Sequence, residues 1–390
     1  MATVLRDILS FLTAISLALT FWRWSLHRRF PLHQRAGKNA PGASALPSVT
    51  LLKPLKGCDA ETKACLRSWF EQDYAAPIQL LFGVASPLDP ACDVVRELLA
   101  EYPKADGRLV ICAEALGANA KVSTLRQLEP LARHPLLIVS DADTHAPRDF
   151  VSEVAARAPE AGLVNCFYRL ANPSTPAMRW EAIAVNADFW TSVLQAASLN
   201  KMDFALGAAM TLPREDLQGI GGFAALADYL ADDFQLGHRI AANGRPLALA
   251  GVVVDCWEPP AGWRAVWRHQ LRWARTIRAC QGAPFFFSVL NNGGLWPLLL
   301  LTAAFLGAGA PWAVVLAGVA LGFRIWSAQQ QQARMIQAPA PWRYAWLVLV
   351  KDVLDFLLWL AAFWGNRIEW RGQSYRIEVG GRLRRLEPAT

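Results

Sequence analysis

The sequence contains no Cys-x-x-Cys pair, and its seven cysteines, an odd number, are scattered at positions 58, 65, 92, 112, 166, 256 and 280. This argues against a zinc cluster and gives no support to a disulfide framework. The thiols are expected to be reduced and mostly buried, in a domain facing the cytosol. No Gly-x-Gly-x-x-Gly follows the first apolar run, and Gly-x₄-Gly-Lys-Ser/Thr does not occur. A dinucleotide cradle and a P-loop are thereby set aside, so any phosphate must be gripped by a metal and basic side chains. No nucleic-acid-binding motif is present. Acidic residues are missing from the stretch that carries Arg23, Arg28, Arg29, Arg35 and Lys38.

What is abundant is apolar surface. The 390 residues are 54% hydrophobic with 17 tryptophans and a formal net charge of +7. Mean hydropathy is +0.20 and the sequence pI is near 9.2. Such a chain is more apolar than a typical soluble domain and implies a membrane part. Residues 8–22 are uncharged and apolar. They are short for a bilayer span unless Arg6 and Asp7 snorkel or pair. A signal peptide would place its basic residues first; here they follow, so residues 1–35 read as an uncleaved anchor with residue 24 onward in the cytosol. Residues 36–47 are rich in Gly, Pro, Ser and Ala and read as a linker.

From residue 48 apolar runs and helical patterns alternate. Strands are expected at 48–55, 78–84, 108–112 and 136–139, and helices at 60–72, 90–101 and 121–131. That rhythm predicts βαβ units and a mostly parallel sheet covered on both faces. The fourth strand runs into Ser140-Asp141-Ala142-Asp143. Ligands of parallel α/β sheets bind at the carboxyl ends of strands. Two carboxylates there suit a hard cation shared with a diphosphate, as Mg²⁺ commonly is. The plainer reading has Asp141 capping the next turn and Asp143 in solvent.

The second half offers a strand at 162–168 and a helix over 180–198. That helix either packs on the core or uses an aromatic face, Trp190 included, to line a lipid groove. Residues 204–212 read as a strand with Gly207 inside it, where a ligand could approach closely. Asp232 and Asp233 open a helix reaching to about 243. Acids there are favoured by the helix dipole alone, and one could equally serve as a general base. Residues 263–278 set Arg264, Arg268, Arg272 and Arg275 on one stripe beside Trp263, Trp267 and Leu271, the pattern of an interfacial helix. Apolar segments are expected at 294–310, 311–326 and 344–364, with Gln329 to Gln332 as a polar loop. Lys351, Asp352 and Asp355 should pair inside a bundle. The basic residues after 367 call for the cytosol, although three spans would end outside.

Leu51-Leu-Lys-Pro-Leu-Lys-Gly57 with Asp59, Gly117-x-Asn119-x-Lys121, Asp141, Gly207, Asp232-Asp233 and Arg272-Trp273, in this order, resemble the ceramide glucosyltransferase family. The hopanoid-modifying N-acetylglucosaminyltransferases share these landmarks. The resemblance implies a GT-A α/β domain with a mostly parallel sheet at 48–262, an interfacial helix at 263–283, membrane segments at 284–366 and a basic tail at 367–390. It implies an integral membrane enzyme working at the cytosolic face, a bacterial inner membrane being favoured over a Golgi membrane. The expected chemistry is inverting, metal-dependent transfer of a hexose from a UDP-sugar, glucose favoured, to a ceramide-like lipid hydroxyl. Mg²⁺ or Mn²⁺ would sit on Asp141 and Asp143. Asp233 would be the base, assisted by Asp232, with Arg272 and Trp273 also catalytic. Lys53, Asp59, Asp89, Asn119, Lys121, Asp141 and His269 would serve the donor, and Gly207 and Trp190 the acceptor. Two departures stand out. Ser86 occupies the place of the family's first aspartate, leaving Asp89 or a Ser86 hydroxyl with water for the uridine, and His269 replaces the first residue of Gln/Arg-x-x-Arg-Trp. The rivals are a hopanoid or polysaccharide acceptor, and a non-catalytic protein that binds anionic lipid. No nucleic acid is expected, and the oligomeric state is open.

Overall fold

A computed structural model of the chain describes residues 2–35, 46–308, 310–370 and 373–386. Most of the expected linker lies outside the described residues. The chain divides into two compact units, each discontinuous in sequence.

The first unit comprises residues 31–172, 200–259 and 370–390. It is built on an eight-stranded sheet: β1 (Val49–Leu55), β2 (Ile78–Val84), β3 (Asp106–Ile111), β4 (Leu136–Ser140), β5 (Thr144–His145), β6 (Leu163–Leu170), β7 (Ala209–Pro213) and β8 (Leu247–Cys256). Their order is β3-β2-β1-β4-β7-β6-β8-β5. The β3/β2, β2/β1, β1/β4 and β6/β8 pairs are parallel, and β4/β7, β7/β6 and β8/β5 are antiparallel. Every residue of β1 and β4 is buried, which is why those segments are apolar without alternation. Successive side chains still divide between two cores. Val49, Leu51, Leu136 and Ile138 pack on one face, and Leu52, Leu137 and Val139 on the other.

One expectation for this unit needs correction. Gly207 is not inside a strand, because β7 begins only at Ala209. Residues 204–208 are bonded elsewhere: Asn165 donates to the Phe204 carbonyl and accepts from Leu206 N–H, and the Ala208 carbonyl accepts from Asp141 N–H at 3.0 Å. Because β7 runs antiparallel to β4, its entry lies beside the β4 exit, and Gly207 is thereby delivered to Asp141. The Asp232–Ala242 helix packs against the same segment through Gly237, where an added Cβ would lie 2.4 Å from the Ala205 nitrogen. Positions 233 and 237 are one helical turn apart on one face, so this contact aims Asp233 at Gly207. The Gln373–Ile377 and Leu383–Arg385 strands form an antiparallel hairpin, whose turn bonds to residues 228–235.

The second unit comprises residues 1–30, 173–199 and 260–369 and is helical up to the short strand that begins at Arg367. Among the described residues two helices, Ala2–Arg29 and Pro311–Ile336, are long and apolar enough to cross a membrane. The count rises to three if the pair Gly282–Asn291 and Leu295–Gly307, bent by 50°, is one span. The N-terminal apolar stretch is therefore not short. Its helix has 28 residues, because the charges that bound residues 8–22 are partnered: Arg6 pairs with Asp7 and buried Arg23 donates to the Asn291 carbonyl. Gln329 to Gln332 are not a loop but the inside of the Pro311–Ile336 helix, with Gln329 and Gln331 buried. Glutamine is a good helix former, and its polarity here meets the bundle interior. The segment at 344–364 is a 17-residue helix, Leu347–Phe363, that does not qualify as a span among the described residues. Lys351 pairs with Asp352 and Asp355, as expected. They join a larger buried network in which Arg324 binds Asp188 and Asp352.

Replacing Gly237 with alanine forces the helix away from the Ala205 backbone. Gly237→Ala is expected to destabilise the sheet unit by about 1–3 kcal/mol despite alanine's better helix propensity, read as a lowered denaturation midpoint of the full chain.

Candidate active site

The β4 exit is held from below by Lys53. This residue lies in the middle of β1 with no exposed surface. Its ammonium donates to Ser140 Oγ at 3.0 Å, to the Thr144 carbonyl at 3.3 Å and to the Asp141 carbonyl, and it sits over the Trp69 ring. An ammonium has three protons, and all three are engaged by the Ser140–Thr144 turn. Burial pulls its pKa down to about 8, while Cys65, Asp143 and Asp141 resist that fall. Lys53 thus shapes the turn that carries Asp141 and Asp143.

Lys121 joins the two acid pairs. Its ammonium lies 2.7 Å from Asp141 Oδ1 and 3.2 Å from Asp232 Oδ2. Burial alone would discharge it, but Asp141 and Asp232 more than offset that and raise its pKa. Asn119 places it. The Asn119 carbonyl oxygen caps the Ala120–Leu128 helix by accepting from Lys121 and Val122 N–H, and its amide donates to the Tyr229 carbonyl and to Asp232.

Two of these four acids, Asp233 and Asp143, have shifted carboxyls. Burial, then the like charge of Asp232, raises Asp233 to about 6, against the pull of Lys121. Burial, then Asp141, raises Asp143 to about 6. A Cβ on Gly207 would lie 2.7 Å from Asp233 Oδ2. What the missing side chain admits is therefore the carboxylate. Tyr168, two residues before the end of β6, is in the same environment: burial, together with Cys256, Asp233, Asp141 and Asp143, pushes its hydroxyl well above the usual range.

Asp59 and Asp89 are engaged in the adjoining loops. Asp59 Oδ1 accepts from Glu61 N–H, Thr62 N–H and the Thr62 hydroxyl, starting the Thr62–Phe70 helix. Both Asp89 oxygens accept from Gly57 N–H, which ties the β1 exit to the β2 exit. Ser86 Oγ accepts from Leu88 N–H.

The remaining expected residues belong to the helical unit. His269 Nδ1 lies 2.7 Å from Glu181 Oε1, which also accepts from Gln270 at 2.7 Å. The His269 ring meets Trp273 edge-on at 4.9 Å, and Trp273 neighbours Phe189. Arg272 is half-buried on the same helix, Trp263–Cys280. Trp190 is fully buried and donates to the Asn186 carbonyl. The structure thus gathers Lys53, Asn119, Lys121, Asp141, Asp143, Gly207, Asp232 and Asp233 in the sheet unit, and His269, Arg272 and Trp273 on one helix of the other. Sequence reasoning missed Glu181 and Tyr168. Neither carried a distinctive signal in the sequence: Glu181 stands in a helical run that also holds Arg179, Asn186 and Asp188.

The sequence profile of glycosyl transferase family 21 matches residues 8–383. The chain belongs to that family. Ceramide glucosyltransferase 3 of Caenorhabditis elegans is 26% identical over 259 residues, covering 63% of this chain and 54% of that protein. The ceramide glucosyltransferase of Candida albicans is 28% identical over 132 residues, 31% of this chain and 24% of the relative. The chain therefore spans about half the length of the first of these curated relatives, and less of the second. A solved mannosyltransferase from Pyrobaculum calidifontis, in complex with GDP-mannose and Mn²⁺, aligns with a TM-score of 0.50 at 21% identity, over 91% of this chain and 99% of its own. The family 21 chain shares that GT-A-type fold.

Asp233 binds its proton more tightly in the fold than the ordinary value of 3.8 allows, so the stability it lends is complete below about 3.8 and lost as pH rises through about 6. Asp233→Asn is therefore expected to stabilise the protein near neutral pH by up to about 2–3 kcal/mol. The gain should shrink as pH falls from about 6 toward 3.8, as measured by melting temperature against pH.

Proposed function

We propose that this family 21 chain is an inverting, cation-assisted hexosyltransferase. It moves a hexose, glucose favoured, from a UDP-sugar to the hydroxyl of a ceramide-like membrane lipid. One observation carries the reading: Lys121 links two acid pairs at the carboxyl edge of the sheet. Four carboxylates, Asp141, Asp143, Asp232 and Asp233, meet two ammonium groups, Lys121 and Lys53, and two of the four acids have raised pKa values. A divalent cation fits that surplus and that all-oxygen donor set. Asp141 and Asp143 would hold Mg²⁺ or Mn²⁺, the diphosphate and water completing the shell. Bound there, the cation would supply neutralising charge at the leaving diphosphate.

The chain's own groups do the rest. Lys121 balances charge on the departing diphosphate, where electrostatic stabilisation is worth most. Asp233, with its proton affinity raised by burial and by Asp232, takes the proton of the acceptor hydroxyl. That oxygen bonds to the anomeric carbon as the carbon–phosphate-oxygen bond opposite it breaks, so configuration inverts. Lys53 and Asn119 position the acid-bearing segments, Asp59 and Asp89 shape the loops over the nucleotide, and Gly207 leaves room for Asp233 beside the acceptor.

The sheet unit is placed on the cytosolic face of a membrane, a bacterial inner membrane being favoured, on the strength of the basic residues after the first span. The bonding of the tail hairpin to residues 228–235 supports an even number of crossings between 260 and 369. Pro311–Ile336 and the bent 282–307 pair counted as one span satisfy this.

Full-length protein in lipid bilayers, offered UDP-glucose or UDP-N-acetylglucosamine with ceramide or a hopanoid, should glucosylate ceramide. Chelation should abolish transfer, and Mn²⁺ or Mg²⁺ should restore it. Asp233→Asn should lower kcat by about 10²- to 10⁴-fold, and wild-type rate should fall as pH drops below about 6. Transfer of N-acetylglucosamine to the hopanoid alone would exchange the substrates. Absence of any UDP binding would make the chain a lipid-binding protein.

A further inference from the structure

The C-terminal hairpin touches the one loop that leads into the acid pair. Leu383 N–H donates to the Asp228 carbonyl at 2.7 Å, and Leu230 N–H donates to the Gly381 carbonyl at 3.0 Å. Tyr229 and Arg382 form an antiparallel bridge between these bonds. Gln235, in the first turn of the Asp232–Ala242 helix, donates through Nε2 to the Gly380 carbonyl at 2.9 Å. The turn that presents these carbonyls needs positive φ at Gly380 and Gly381, which glycine adopts without steric cost. The opposite side of the same loop is held by the segment that carries Lys121. Ala118 N–H donates to Asp228 Oδ1, Asn119 N–H to the Ala227 carbonyl, and the Asn119 amide to the Tyr229 carbonyl. Residues 227–231 are thus gripped from two sides, although they carry no regular structure except the Tyr229 bridge.

The helix itself has no side-chain cap at Ala231. Its start is defined by what the preceding loop is bonded to. Asp232 and Asp233 are the first two residues after that loop, and their carboxylates repel each other, so a loose loop would let them part and take up water.

We propose that the C-terminal hairpin is a positioning element for the transfer reaction, a strap whose Gly380–Leu383 turn fixes the 228–231 loop and so the direction in which Asp233 points. The proposal rests on the reading of Asp233 as base. It assigns a catalytic consequence to a segment about 150 residues from the acid pair, which in sequence reads only as a basic tail.

The test uses the full-length protein in bilayers. Leu383→Pro removes the N–H that bonds Asp228, and Gln235→Leu removes the amide that bonds Gly380; Arg384→Ala, on the same strand but outside these contacts, is the control. Hydrogen exchange of residues 228–236 should accelerate in both strap variants and not in the control. Rates normalised to folded protein should show kcat lowered about ten- to a hundredfold with KM for the donor unchanged. A role confined to stability would reduce the folded fraction while leaving kcat per folded molecule intact, and that result overturns the proposal. Unchanged exchange at 228–236 overturns it as well. Asp233→Asn separates the two readings: if that variant keeps its activity the base assignment fails, whereas the exchange result judges the strap independently of it.

Discussion

The ammonium of Lys121 between Asp141 and Asp232 is the contact on which the site depends. It joins residues from three distant parts of the chain: a helix start, a strand exit and a second helix start. A buried charge survives only if it is paired and hydrogen-bonded, and removing one partner of a buried pair costs about 3–5 kcal/mol. The backbone geometry around it follows. Asn119 caps the helix that carries Lys121 while holding the loop before Asp232, and Lys53 uses all its protons on the turn behind Asp141.

The two units handle buried charge in opposite ways. In the helical unit Asp188, Asp352 and Asp355 meet Arg23, Arg324 and Lys351, three acids against three bases. That network is balanced and needs nothing added; it locks four stretches of chain, from the first helix to the last. At the sheet edge four acids, Asp141, Asp143, Asp232 and Asp233, stand with two ammonium groups, Lys53 and Lys121, so the acids outnumber the bases. A fold tolerates such a surplus where a ligand or ion is to supply the missing positive charge. The difference between a balanced and an unbalanced cluster separates a brace from the proposed reaction site more sharply than burial does, since both clusters are buried.

Much of the sheet unit was legible in sequence because its strands are continuous apolar runs with helical patterns between them. β1 and β4 are covered on both faces, and that demand leaves a plain mark. The Asp141–Asp143 and Asp232–Asp233 pairs were legible because paired acids at element ends are sparse. The errors came where polar character was read as exposure. The polarity of Gln329 and Gln331 suggests a loop, yet both are buried inside the Pro311–Ile336 helix, because a bundle interior accepts polar side chains that face no solvent. Gly207 was read as part of a strand because its neighbours are apolar. Their hydrogen bonds go instead to Asn165, Asp141 and Thr144, partners that no local pattern reveals.

By itself the sequence determined the class of fold, the presence of membrane helices and the identities of the acids and bases, since these follow from hydropathy, periodicity and side-chain chemistry, which are local properties. The tertiary structure decided which charges meet. That Lys121 serves two acid pairs, that Lys53 is spent on a turn, that Gly207 makes room for Asp233 and that the C-terminal hairpin returns to residues 228–235 all depend on strand order and on the antiparallel entry of β7. Contacts across such separations are set by the closure of the whole sheet, and no window of sequence contains them.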